Sequence, residues 1–169
     1  MKQYKVGIIG GTGMVGQRFA LLLKDHPWFH VTCVAASARS AGKTYAEAVE
    51  GRWAFADKDI PENIASLPVY DAADVEKVAE QVDFVFCAVD MKKDEIKALE
   101  EAYAKAECPV MSNNSANRHT PDVPMIIPEI NDNHTDIIEA QPSRPRILLN
   151  QSLLENLKNN LNTNATMKK

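Results

Sequence analysis

The sequence predicts an α/β fold, a doubly wound and mostly parallel sheet with helices on both faces. Three observations carry that expectation. Short apolar runs of strand character alternate with amphipathic runs, the first such junction holds the glycine-rich stretch GGTGMVG, and 169 residues suit one such domain. A domain of that length hides roughly 70% of the surface its unfolded chain exposes, enough for a real core.

The elements follow in order. Tyr4–Ile9 reads as the first strand, and Met14–Leu23 as a helix with Val15, Phe19, Leu22 and Leu23 near helical spacing. Val31–Ala36 is again strand-like, after the punctuation of Pro27. Residues 37–66 are mixed, with a Ser/Gly-rich start and an aromatic patch at Trp53–Phe55. Leu67–Tyr70 suggests a short strand, and Asp71 or Asp74 can cap a helix across Val75–Gln81. Asp83–Ala88 reads as a buried strand. Lys92–Ala106 is the clearest amphipathic helix, with Ile96, Leu99 and Tyr103 on one face and charge on the other. Pro109–Ser112 and Met125–Ile127 read as strands, Asn131 as the cap of a helix over Asp132–Ala140, and Arg146–Leu149 as a last strand. Residues 1–149 thus form one domain. From Asn150 the composition shifts to six asparagines in twenty residues, where Leu153, Leu154, Leu157 and Leu161 allow a short helix before a tail with little to bury.

Composition excludes several classes of function. A net charge of −4 gives no basic footprint for nucleic acid, and no apolar stretch approaches the roughly 18 residues of a membrane span. Lys2 and Lys5 precede an apolar run as in a signal peptide, but glycines break that run within a few residues. Three cysteines without a close pair fit a reduced, cytoplasmic protein better than a disulfide scaffold, and no metal-ligand spacing emerges.

The glycines Gly10, Gly13 and Gly16 sit between a strand and a helix, the context in which such a turn binds a dinucleotide in a Rossmann-like fold. Gly10 allows a tight exit from the strand, Gly13 lets a pyrophosphate approach the helix N-terminus, and Gly16 lets helix and sheet pack closely. The spacing, Gly-x-x-Gly-x-x-Gly, departs from the more familiar Gly-x-Gly-x-x-Gly; a purely structural turn is the alternative. An NAD site commonly carries an acid at the end of the second strand, but here that end reads VAASARSAGK. Ser37 and Ser40 offer hydroxyls and Arg39 a fork suited to phosphate, which favours NADP over NAD.

Together, IIGGTGMVGQRF, DHPWF, AASARSAGK, PVMSNNSANR and PDVPMIIPEIN resemble the aspartate-semialdehyde dehydrogenases, closest to the archaeal and fungal-type branch, over about residues 4 to 141. The resemblance implies an NADP-dependent oxidoreductase that converts L-4-aspartyl phosphate to the semialdehyde, on the way to lysine, threonine and methionine, as a homo-oligomer. It places Thr12, Gly13, Met14 and Val15 on the pyrophosphate, Ser37, Arg39 and Ser40 on the 2′-phosphate side, and Cys87–Ala88 beside the nicotinamide. Within Ser112–Arg118 it gives Arg118, with Asn114, to the substrate phosphate. Related acyl-phosphate or acyl-CoA reductases, such as N-acetylglutamyl-phosphate or malonyl-CoA reductase, remain the alternatives among enzymes.

One part of the family pattern is missing. A nucleophilic cysteine is expected after the strand at RILL, but Asn150 is followed by no cysteine. Cys33 and Cys87 fall in strands, Cys108 ends a helix, and His26, His30, His119 and His134 pair with none of them. The sequence therefore reads as the dinucleotide-binding portion of such an enzyme, ended by truncation or frameshift, without catalytic Cys, His or dimerisation domain and inactive alone. A catalytically silent nucleotide-binding module is the alternative outside the enzymes.

Overall fold

The structure, a computed structural model, describes residues 3–140 and 147–150. Along the chain run β1 (Tyr4–Ile9), α1 (Met14–Leu23), β2 (Phe29–Ala36), α2 (Tyr45–Val49), α3 (Glu62–Ala65) and β3 (Val69–Asp71). Then follow α4 (Val75–Ala79), β4 (Phe84–Cys87), α5 (Lys93–Lys105), β5 (Val110–Ser112), β6 (Met125–Ile126), α6 (Pro128–Asn131), a 3-10 helix over Asp132–Ala140, and β7 (Ile147–Asn150). The expected start of the last strand at Arg146 and the expected helix in the tail lie outside the described residues.

The seven strands lie in the order β3-β2-β1-β4-β5-β7-β6, and each neighbouring pair is parallel. The chain winds outward from β1 in one direction, then returns to β4 on the other side of β1. That reversal opens a crevice beyond the carboxyl ends of β1 and β4, the place where doubly wound sheets bind ligands.

Strand periodicity divides the core between two faces. Val6, Ile8, Val34, Ala36 and Phe86 join Phe19, Leu23, Tyr45 and Ile64 on one face. Ile9, Cys33, Ala35, Val85 and Cys87 join Val78, Ile96, Tyr103 and Cys108 on the other. Val31 also packs on the first face although it stands three residues from Val34. The irregularity that pairs Val6 with Val31 and Gly7 with Cys33 skips Thr32 and reconciles the two, since one extra residue flips the alternation.

Some local expectations are corrected. The mixed stretch 37–66 holds two short helices, and α2 opens on a capping box: Glu47 N donates to Thr44 Oγ1 at 3.3 Å, and Thr44 N to Glu47 Oε2 at 2.9 Å. Asp74 stands at the N-cap of α4, but its carboxylate pairs with Lys77 instead of the backbone. Asn131 does not cap the following helix; it reaches back, accepting from Ile127 N at 2.7 Å and donating to Met125 O at 3.0 Å. The charged side of α5 is incomplete, because Glu100 is fully buried.

An aromatic group ties β4 to α1: Phe86 stacks on Phe19 with centroids 5.0 Å apart and meets Phe84 and Phe29 edge-on at 5.3 and 6.0 Å. Phe86→Ala removes the middle ring of this group and should lower unfolding free energy by about 3–5 kcal/mol in a denaturant titration.

Candidate functional site

At the crevice, β1 ends in the turn Gly10–Gly13, and α1 begins with Gly13 as its N-cap. Gly10 has φ +81°, and a Cβ there would lie 2.5 Å from Ala88 O, so neither its conformation nor its space admits a side chain. A Cβ on Gly16 would collide with Gly10 O and with Gly11 Cα, so the helix can sit this close to its own strand only without one. Gly13 differs: its φ is −79°, and an added Cβ would touch nothing but Gly10 O at 3.4 Å. The space in front of Gly13 is therefore open.

The N-terminus of α1 has no side-chain cap and no acid in its first turn. Among the described residues, no protein acceptor meets the N–H groups of Met14, Val15 or Gly16, while Gln17 N closes the first turn onto Gly13 O at 2.9 Å. Free N–H groups at the positive end of a ten-residue helix, behind a glycine with an open face, fit a pyrophosphate.

From this turn a cleft of about 440 Å³ runs past Thr12, Ser37, Arg39 and Ala73 to Ala88 and Met91. Of the residues singled out from sequence, Gly10, Thr12, Gly13, Ser37, Arg39 and Ala88 line it. Met14 is exposed at the head of α1. Ser40 is turned inward, 3% exposed, with Oγ accepting from Arg52 Nη2 at 2.9 Å. Cys87 points into the second core face and reaches the crevice only through its neighbour Ala88. The end of β2 carries no acid, but Asp71 at the end of β3 pairs with Ala36 and lines the cleft, where its Oδ1 accepts from Ala73 N at 3.0 Å.

The stretch Ser112–Arg118 leaves β5 beside the end of β4, where Asn113 N donates to Cys87 O at 2.9 Å. Beneath it lies Glu100, fully buried on α5. The Glu100 carboxylate accepts from Ser112 Oγ, from Asn117 Nδ2 at 2.7 Å and from Asn114 Nδ2 at 3.3 Å. Asn114 Nδ2 also lies 3.4 Å from Cys87 Sγ. Its amide thus supports the loop from inside, whereas Arg118 is exposed.

All three cysteines are buried. Burial, with a smaller contribution from Cys108, pushes the Cys33 thiol up to about 12. Burial alone pushes Cys108 up to about 11. Burial and then the Glu100 carboxylate raise Cys87 further. Each stays a protonated thiol at neutral pH, the reverse of what a nucleophile needs. Among the described residues, no group of three His, Cys, Asp or Glu side chains could hold a metal, and no helix is long and apolar enough to cross a membrane.

A family model described as "Semialdehyde dehydrogenase, NAD binding domain" matches residues 5–138. The chain belongs to the semialdehyde dehydrogenase family, through its NAD-binding domain. Among relatives, the aspartate-semialdehyde dehydrogenase of Archaeoglobus fulgidus is 41% identical over 139 residues, covering 82% of this chain and 38% of that protein. The enzyme of that name from Schizosaccharomyces pombe is 40% identical over 137 residues, covering 81% and 36%. A crystal structure of aspartate semialdehyde dehydrogenase with NADP from Candida albicans superposes with a TM-score of 0.74 at 30% identity, covering 88% of this chain and 42% of the other. The chain therefore spans a little over a third of the length of the curated relatives it matches, and the resemblance read over residues 4 to 141 is borne out.

Sequence reasoning missed several residues of this semialdehyde dehydrogenase domain. Gln17 is buried between Gly16 and Phe19 on α1, and Glu100 falls on the Ile96–Tyr103 stripe; a polar residue in an apolar phase is the signal each gave. Arg52 and Tyr45 gave no local signal, since only tertiary packing brings them to Ser40 and Gly11, and Asp71 read only as a possible helix cap.

Two outcomes follow from this geometry. Gly13→Ala should keep its stability within about 1 kcal/mol yet lose dinucleotide binding by about tenfold or more, whereas Gly16→Ala should be destabilised by about 1–3 kcal/mol or more; thermal unfolding and titration calorimetry separate the two. The thiols should resist a disulfide reagent at pH 8 until the chain is unfolded. Because the folded chain holds these protons above the ordinary thiol value of 9.0, the thiols' contribution to stability should be constant below pH 9 and be lost as pH rises from there toward about 12.

Proposed function

We propose that the domain binds NADP, and that it is the cofactor-holding part of an aspartate-semialdehyde dehydrogenase. The observation that carries the reading is that Arg39 and Ser37 line the same cleft as the Gly10–Gly13 turn at the uncapped N-terminus of α1. A guanidinium on that wall suits a 2′-phosphate, which it can hold in a bidentate fork. Asp71, which lines the same cleft, is engaged by Ala73 N. The Candida albicans relative that superposes on this chain was solved with NADP.

In this reading the dinucleotide supplies hydride, and the chain's own residues bind and orient it. Met14, Val15 and Gly16 offer backbone N–H groups to the pyrophosphate. Thr12 flanks it, and Ala88 and Met91 form the apolar end of the cleft toward the nicotinamide. Arg118 stands exposed on the neighbouring loop, available to the phosphate of an acyl phosphate such as L-4-aspartyl phosphate. The chemistry expected of the relatives needs a thiolate, and the thiols at 33, 87 and 108 are buried and protonated. The 169 residues are therefore expected to bind NADPH without turnover. A cytoplasmic location and assembly with copies of itself belong to the same reading.

Titration calorimetry tests it. Arg39→Ala should raise the Kd for NADPH by about tenfold and that for NADH by far less. Equal losses would sink the 2′-phosphate assignment. Phosphate-dependent reduction of NADP by the 169-residue chain with aspartate semialdehyde would show that the thiol it needs is present after all.

A further inference from the structure

The stretch from α2 to Ala54 touches both loops that face the anions of a dinucleotide. Gln17, 1% exposed, commits its whole amide to neighbouring backbone: Nε2 donates to Thr12 O at 2.9 Å and to Arg52 O at 3.1 Å, and Oε1 accepts from Ala54 N at 2.7 Å. Tyr45 Oη donates to Gly11 O at 3.0 Å. The glycine turn is thus fastened from outside at two successive carbonyls.

Arg52 makes the second link. Its Nε and Nη2 both donate to Ala48 O in α2, and Nη2 also donates to Ser40 Oγ at 2.9 Å. Ser40 closes the turn that carries Arg39, through Ser40 N to Ser37 O at 2.8 Å. Ser37, Arg39, Ser40, Lys43, Glu47 and Arg52 line a second hollow of about 240 Å³, which shares Ser37 and Arg39 with the cleft. One guanidinium therefore joins α2 to the Arg39 turn, and one amide joins the same stretch to the glycine turn.

We propose, on the reading that the cleft takes NADP, that Arg52 is a positioning residue for cofactor discrimination. Through Ser40 it holds the Ser37–Lys43 turn where Arg39 meets a 2′-phosphate, and Gln17 fixes the spacing between that turn and the pyrophosphate turn. The fork is what does this: Nε and Nη2 together seat the planar guanidinium on the Ala48 carbonyl and so aim Nη2 at Ser40 Oγ, whereas a freely rotating ammonium on a flexible stem has no second anchor to fix its direction.

The test measures Kd for NADPH and NADH on the 169-residue chain and on Arg52→Ala, Arg52→Lys, Gln17→Leu and Arg39→Ala, with thermal unfolding of each. Both Arg52 variants should weaken NADPH by about 5- to 20-fold and leave NADH within about twofold, while Gln17→Leu should weaken both by a similar factor. Adenosine 2′,5′-bisphosphate, which keeps the 2′-phosphate and lacks the nicotinamide, should follow NADPH. If Arg52→Ala does not fold, Arg52→Lys carries the test. Unchanged NADPH affinity in Arg52→Lys, or equal losses of both cofactors, would overturn the positioning role of Arg52. A Gln17→Leu loss confined to NADPH would overturn the coupling. A selective loss in Arg39→Ala without one in Arg52→Lys leaves the NADP reading standing and removes this proposal alone. An unmodified chain that prefers NADH, or binds neither cofactor, overturns both.

Discussion

Helix α1 rests against its own strand at the contact between Gly16 and the Gly10 carbonyl, and most of the crevice takes its shape from that contact. Because no Cβ intervenes, the first turn of the helix sits directly over the carboxyl end of β1. Its free N–H groups therefore face the space between β1 and β4, where the winding of the sheet reverses. A helix held even one side chain further out would aim the same groups past the cleft. The positive φ of Gly10 serves the same end, turning the chain at once beneath Ala88 and Val89.

The sheet supplies the rest by register. Ala36 pairs with Asp71, and Cys87 with Ser112, so β2, β3, β4 and β5 all deliver their C-terminal loops to one edge. The Arg39 turn, the Asp71 turn, Ala88–Met91 and the Asn114 loop are thereby neighbours without being close in sequence. The two core faces beneath them are apolar nearly throughout, so the polar atoms concentrate at this edge, where a ligand can use them.

The layout of the fold was legible in the sequence because it is written in periodicity. Continuous apolar strand runs, the helix at Met14–Leu23 and the glycine turn at its start depend on neighbours in the chain, and each was found where expected. The glycine turn at the crevice was legible for the same reason, since a turn between strand and helix is a local device. What escaped was set by packing. Arg52 meets Ser40 across 12 residues, Gln17 meets Ala54 across 37, and Tyr45 meets Gly11 across 34, distances at which no spacing rule operates. Ser40 illustrates the cost: its hydroxyl read as a donor on the 2′-phosphate side, and packing also makes it the acceptor that Arg52 uses.

Glu100 shows how the second half of the edge is built. A carboxylate with no exposed surface and no cation among its described hydrogen-bond partners is costly to bury unless donors surround it. Here the donors are neutral: the Ser112 hydroxyl and the amides of Asn114 and Asn117. All three come from the one loop that leaves β5, so the cost of burying the charge and the conformation of that loop are the same problem. The loop must fold down over Glu100 to satisfy it, and in doing so it turns Asn114 and Asn117 inward and leaves Arg118 outside. The loop that carries the exposed Arg118 is thus anchored by a buried anion through Ser112, Asn114 and Asn117.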